Sequence, residues 1–254
     1  MAAKLNKLGL SRHIPSPTKR AVRQECGFGC VICGGAIYQY EHIDPEWHEA
    51  KEHRVSQIAL LCGACHDCVT RRFWSKEKIK AARRDPICRQ RGFSRMYLDG
   101  PRIREEFTVS FGGCDFIRPR CVLRVFGEEL LALRGPESDG APPRVSGRFY
   151  DSRGRLMLEI VDNEYRTPSR NWDVVLGRGT VKIQSEKRRT ALSLALYGPQ
   201  HVRVLGLEMQ YRGIRVSVKR QRVAIQKDEV ILVKFRGHIV EPDCALEVSE
   251  FCPA

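Results

Sequence analysis

Read for its alternation of apolar and polar positions, the chain divides into two stretches of different texture. Up to about residue 95 the apolar positions come in short, separate groups. Ala21, Val22 and Cys26 share one face of the segment Thr18 to Cys26, and Pro17-Thr18 is a start signal, so a short helix is predicted there. Gly27-Phe28-Gly29 ends it. Ile37 to Ile43 alternates enough to be a strand, which Pro45 closes. A polar, His-rich loop follows, from Trp47 through His48 to His53. Ile58 to Leu61 is a second, apolar strand, and a helix is predicted from Cys65 to about Arg72. Ser75 is an N-cap for another helix reaching Arg84, with Ile79 and Ala82 as a thin apolar face and Asp85-Pro86 as its stop. Residues 1–16 read as an irregular basic arm, and 96–104 as a linker.

From Phe107 the pattern changes to short β-type runs between Gly, Pro, Asp and Asn turns. Examples are Cys121–Phe126, Ser146–Tyr150, Leu156–Val161, His201–Leu207 and Ile214–Val218. Asp151-Ser152-Arg153-Gly154 is a hairpin turn between two of them. Tyr211-Arg212-Gly213-Ile214 is echoed 24 residues later by Phe235-Arg236-Gly237-His238, a spacing that suits one coil of a solenoid. The predicted class is therefore α+β. A domain over 1–95 precedes an all-β domain over 105–254, either a β-sandwich or a β-solenoid.

Charge sharpens this division. The net charge is +14. Residues 1–104 carry twice as many Lys/Arg as Asp/Glu, whereas the remainder is near balance. A basic first domain points to a polyanion partner. Between Arg71 and Arg95 basic residues dominate, and Arg71, Arg72, Lys76, Lys80, Arg83 and Arg84 are candidates for phosphate contact. No run of 18 apolar residues occurs, so no membrane role is expected. The N-terminus lacks the apolar core of a secretory signal, and a cytoplasmic location is expected.

Cysteine spacing adds chemistry. Four of the eleven cysteines form two C-x-x-C pairs, Cys30/Cys33 and Cys62/Cys65. Two thiolates from one turn reach one ion, and two such turns close a tetrahedron, so a structural zinc is expected. The other cysteines show no pairing pattern and read as reduced thiols. Between and beside the pairs lie Glu41, His42 and His66. His66 follows the last cysteine directly and is thereby displaced from the thiolate set. A divalent ion held by Glu41 and His66, with open positions, would bind a phosphate oxygen and the leaving 3′ oxygen. A neutral His42 would deprotonate water for in-line attack.

Taken together, Cys30-x-x-Cys33, Glu41-His42-Ile43-x-Pro45 and Ile58-x-x-Leu61-Cys62-x-x-Cys65-His66 resemble the zinc-knuckle HNH endonucleases, over about residues 18–75. The resemblance implies a ββα-metal fold for the N-terminal domain. It implies a metal-dependent endonuclease cleaving DNA, double-stranded above all, with His42 activating water. Glu41 and His66 would hold a catalytic Mg2+, Mn2+ or Ni2+. Gln57 stands where the family has an Asn that orients the first His, and His48 and His53 are further candidates for support. A nuclease with an appended β-rich module would suit restriction or anti-phage defence, with the β-rich half binding a protein partner or a second copy. The alternative is a zinc-stabilised nucleic-acid-binding module with a degenerate centre, or a subunit of a larger effector assembly.

Overall fold

The computed structural model describes residues 5–97, 107–134, 138, 141, 144–177, 179–197, 201–219, 222–228, 230–235, 237–240 and 243–249. Strand accounts for 49% and helix for 17%, so the class is mixed α/β and mostly β, and the sheets do not close. The chain forms two compact units. One comprises residues 1–96 with 167–174, the other 97–166 with 175–254.

In the first unit, α1 (Ser16–Cys26) is followed by a two-stranded antiparallel hairpin, β1 (Gln39–His42) and β2 (Ile58–Leu61). Then come α2 (Gly63–Thr70), α3 (Lys76–Arg84), α4 (Ile87–Arg91) and β3 (Phe93–Tyr97). The helix α1 begins two residues earlier than its apolar face implies, because Pro17 fits the first turn, where no amide partner is needed. It ends at Gly27, whose left-handed conformation lets its amide reach back to Gln24. β1 is shorter than the alternation of 37–43 suggested. α2 starts earlier than predicted because Cys62 is its N-cap and accepts the Cys65 amide on sulfur. Ser75 caps α3 as expected. All four residues of β2 are buried, and with Val22, Cys26, Val31 and Ile79 they form the unit's core.

A segment distant in sequence completes this unit. Asp173, 1% exposed, receives two hydrogen bonds from Arg23, at 2.8 and 2.7 Å, and one from Arg20. Arg23 also donates to the Tyr40 hydroxyl on β1. Gln24 donates to the Trp172 carbonyl, and Ser169 to the Gly92 carbonyl. The boundary at residue 95 read from the sequence could not include this return.

The second unit is built from antiparallel meanders. β4 (Thr108–Phe111), β5 (Cys114–Ile117), β6 (Cys121–Val125), β7 (Glu128–Arg134), β8 (Arg144–Tyr150), β9 (Leu156–Val161) and β10 (Glu164–Pro168) come first in sequence. After β11 (Asp173–Gly177) follow β12 (Thr180–Glu186), β13 (Arg189–Tyr197), β14 (His201–Tyr211), β15 (Ile214–Lys219), β16 (Arg222–Lys227), β17 (Val230–Phe235), β18 (Gly237–Val240) and β19 (Cys244–Val248). One sheet contains the order β19-β6-β7-β8-β9-β10, and the other the order β12-β13-β14-β15-β16-β17. Parallel pairs arise where β14 meets β4, β5 meets β18 and β6 meets β19. The 24-residue echo is not a solenoid coil. Its first copy is the β14–β15 hairpin turn, whereas its second leads into β18, which pairs parallel with β5. Alternate side chains such as Phe111, Phe116, Leu158, Ile183, Leu194 and Val216 are buried.

Candidate metal centre and the cluster beside it

The two C-x-x-C turns meet. The ligand atoms of Cys30, Cys33, Cys62 and Cys65 all lie within 4.8 Å of one another, and Cys33 Sγ is 3.6 Å from Cys62 Sγ. Bonds of about 2.3 Å in a tetrahedron put sulfurs about 3.8 Å apart, so the four thiols fit a zinc ion. The first turn is closed by the Cys30 amide on the Gly35 carbonyl and the Gly34 amide on the Cys30 carbonyl. Gly34 takes φ 82°, which a residue with a Cβ adopts only under strain. Crowding shows in the acidity of the thiols. Cys30, accepting from the Cys33 thiol, is pushed down to about 5, and Cys33 is correspondingly pushed up. Burial pushes Cys65 up to about 12. A cation would draw the protons from these thiols on binding. Cys26, Cys88, Cys114 and Cys121 are buried.

One residue further along α2, His66 faces a different group. Its Nε2 is 3.1 Å from Glu41 Oε2. The pairing follows from register: Glu41 on β1 lies opposite Ala59 on β2, and α2 begins just beyond the end of β2. Burial raises the Glu41 carboxyl above its usual range, while His66 and the Arg12 charge pull it back. His42, 7% exposed, follows Glu41 and ends β1. Burial holds its imidazole neutral, pushed down to about 4, with His53 and Arg12 acting in the same direction.

The His42 ring is hydrogen-bonded to His53, while Gln57 reaches the same strand end through its backbone. His42 Nε2 lies 3.0 Å from His53 Nδ1. Gln57 sits at the end of a 3-10 turn, Val55–Gln57, and acts through its backbone, its carbonyl accepting the Ile43 amide at 2.9 Å. Among the described residues its side-chain amide makes no hydrogen bond to His42. His48 faces Glu46 and Glu49 instead.

The expected basic face is largely engaged with carboxylates. Arg71 pairs with Asp67 at 2.9 Å, Lys80 with Asp44 at 2.7 Å, and Lys76 with Glu46. Arg72 and Arg84 are exposed. Arg83 corrects the sequence reading. It is 8% exposed, donates to the Ile58 and Val55 carbonyls and pairs with Glu25, so it braces the hairpin and is not presented to a ligand. The pattern of α3 conceals this, because one helical turn separates Ile79 from Arg83 and both face inward.

Sequence reading missed two further features. Arg12, in the basic arm, stacks over Trp47 with its Cζ 4.5 Å from the ring centroid. In the second unit Ser110 lies between Asp115 and His201, 2.6 Å from His201 Nε2. That hydroxyl bridges carboxylate and imidazole, so the order of a hydrolytic triad, with imidazole in the middle, is absent. No spacing in sequence signals either arrangement. The chain matches no protein-family model, no curated protein and no solved structure.

Proposed function

We propose that this protein is a metal-dependent endonuclease of the HNH type that hydrolyses DNA phosphodiester bonds. The observation that carries the reading is the Glu41–His66 pair at 3.1 Å, adjoining a buried His42 held neutral. A carboxylate and an imidazole converging on one point suit a hard or borderline divalent cation such as Mg2+, Mn2+ or Ni2+, and two protein donors leave positions open. Such an ion would supply charge stabilisation for the phosphate and the leaving 3′ oxygen. The chain's own contribution is the base. With Nε2–H of His42 donating to His53 Nδ1, the His42 Nδ1 lone pair is the one that would accept a proton from water. That water attacks phosphorus in line as the bond to the 3′ oxygen breaks. The thiolate set nearby holds a structural zinc and fixes α2, and with it His66. A basic chain suits duplex DNA as the partner, in restriction or anti-phage defence in the cytoplasm.

A second reading, a zinc-stabilised DNA-binding module without cleavage, draws on the engagement of Arg71, Lys76 and Lys80 with acidic groups and on Gln57 acting through its backbone alone. Plasmid nicking with Mg2+, Mn2+ or Ni2+ decides between them. The expected result is cleavage by the wild type and a loss of roughly 100-fold or more in His42→Ala. Equal cleavage by both would remove His42 as the base, and no cleavage with any metal would favour the second reading.

A further inference from the structure

We propose that Cys121 and Cys244 are a reversible redox pair in the second unit, closed to a disulfide by a low-molecular-weight disulfide such as oxidised glutathione and reopened by thiols. Strand register brings the two together. β19 pairs parallel with β6, and Cys244 stands directly opposite Cys121, with Leu246 opposite Leu123 and Val248 opposite Val125 further along. Backbone bonds close both ends of this pairing, the Cys121 amide on the Asp243 carbonyl at 3.0 Å and the Phe126 amide on the Val248 carbonyl at 2.8 Å. Residues opposite one another in a ladder project to the same face, so the two thiols share a face with the buried Leu and Val pairs. Neighbouring strands lie about 4.8 Å apart, and a disulfide joins Cα atoms about 4.4–6.8 Å apart. Cys114, the other described cysteine of the unit, stands opposite Gly237 and has no such partner in its strand pair.

The two thiols differ in access, Cys121 being buried and Cys244 half-buried. Both are free, the Cys121 thiol donating to the Leu131 carbonyl at 3.5 Å and the Cys244 thiol to the Leu246 carbonyl at 3.4 Å. Thiols are weak donors, so side-chain rotation gives up little in exchanging these bonds for one between the sulfurs. Burial, with Cys244 beside it, pushes the Cys121 thiol up to about 12, so Cys121 is the second to react. Cys244 attacks one sulfur of the small disulfide, which expels one small thiol and leaves a mixed disulfide on Cys244. Cys121 then attacks the Cys244 sulfur, forming the bond within the protein and expelling the second small thiol. The protons of the two protein thiols end on the released thiols, and two electrons pass to the small disulfide. β19 ends its sheet and is bonded, among the described residues, to β6 alone. Closing the pair therefore fastens the last strand of the sheet covalently to its neighbour and restricts the unfolded chain between residues 121 and 244.

The test incubates the zinc-loaded, full-length protein with oxidised glutathione, either folded or in urea. The remaining thiols are then alkylated, and mass spectrometry of the digest locates each link. In the folded protein the Cys121–Cys244 link should exceed any other cysteine pairing by at least about 5-fold, and reduced glutathione should reopen it. In urea the preference should disperse among other pairings, because strand register no longer selects the partner. The urea midpoint of the second unit should rise on oxidation of the wild type and stay in place for Cys244→Ser. Cys121 remaining a free thiol in the folded, oxidised protein overturns the proposal. So does Cys244 that keeps glutathione as a lasting mixed disulfide or links to a different cysteine. None of these readouts depends on DNA cleavage, so the proposal stands or falls apart from the nuclease reading.

Discussion

Two clusters lie one residue apart on the same helix, and they are built on opposite plans. The cysteine set offers four like ligands from two turns, within 4.8 Å of one another, and closes a coordination shell. The neighbouring cluster offers one carboxylate and one imidazole, 3.1 Å apart, with a second, neutral imidazole next in sequence. A closed shell holds a fold; an open one admits a substrate. Cys65 and His66 are adjacent on α2, so the first cluster sets the position of the second. The contrast separates four like ligands that fit a closed shell from a mixed pair that leaves positions open.

The largest effect should come from opening the closed cluster. Cys65→Ser is expected to lose zinc and lower the thermal midpoint of the first unit by more than about 10 °C, followed by circular dichroism and metal analysis. Retained fold without zinc would erase the contrast. Next is Asp173→Ala, which leaves the buried Arg23 without its partner. It should cost about 3 kcal/mol in urea unfolding while zinc stays bound, separating support by packing from support by metal.

A smaller effect concerns pH. His42 titrates near 4 when folded and near 6.5 when unfolded, so between those values the unfolded chain takes up a proton that the folded chain refuses. Stability should fall as pH drops through that window and be level above it with respect to this group. Glu41, raised by burial, acts in the opposite sense, so the quantity to measure is the difference between wild type and His42→Gln in urea midpoints at pH 5 and 7. The variant should lose less stability on acidification. Smallest is the distinction between the residues around His42. His53→Ala should slow cleavage by about 10-fold, and Gln57→Ala by less than about 2-fold, because only His53 bonds the ring through its side chain.

Much of the first cluster was legible in the sequence, because C-x-x-C spacing is local and the knuckle geometry follows from it. The hairpin and α2 were legible too, from the apolar run of β2, but not the Cys62 cap that starts α2 earlier. The closeness of Glu41 to His66 was inferred from the pattern and is visible in the strand register. What escaped depends on contacts between distant residues. Asp173 joins Arg23 across 150 positions, and His53 reaches His42 from a loop with no periodicity. Arg83 reads as a surface cation because a helix two-thirds polar hides which basic residue turns inward. In the second unit β7, Glu-Glu-Leu-Leu-Ala-Leu-Arg, is composed of helix formers and becomes a strand because β6 and β8 flank it.

On the proposed reading, two metal sites of different kind adjoin on α2. Native mass spectrometry of the wild type and His66→Ala, with and without added Mn2+, tests it most directly. One zinc should be retained in both proteins, with a second ion only in the wild type with Mn2+ present. Loss of zinc in His66→Ala, or a second ion bound equally by both, would contradict it.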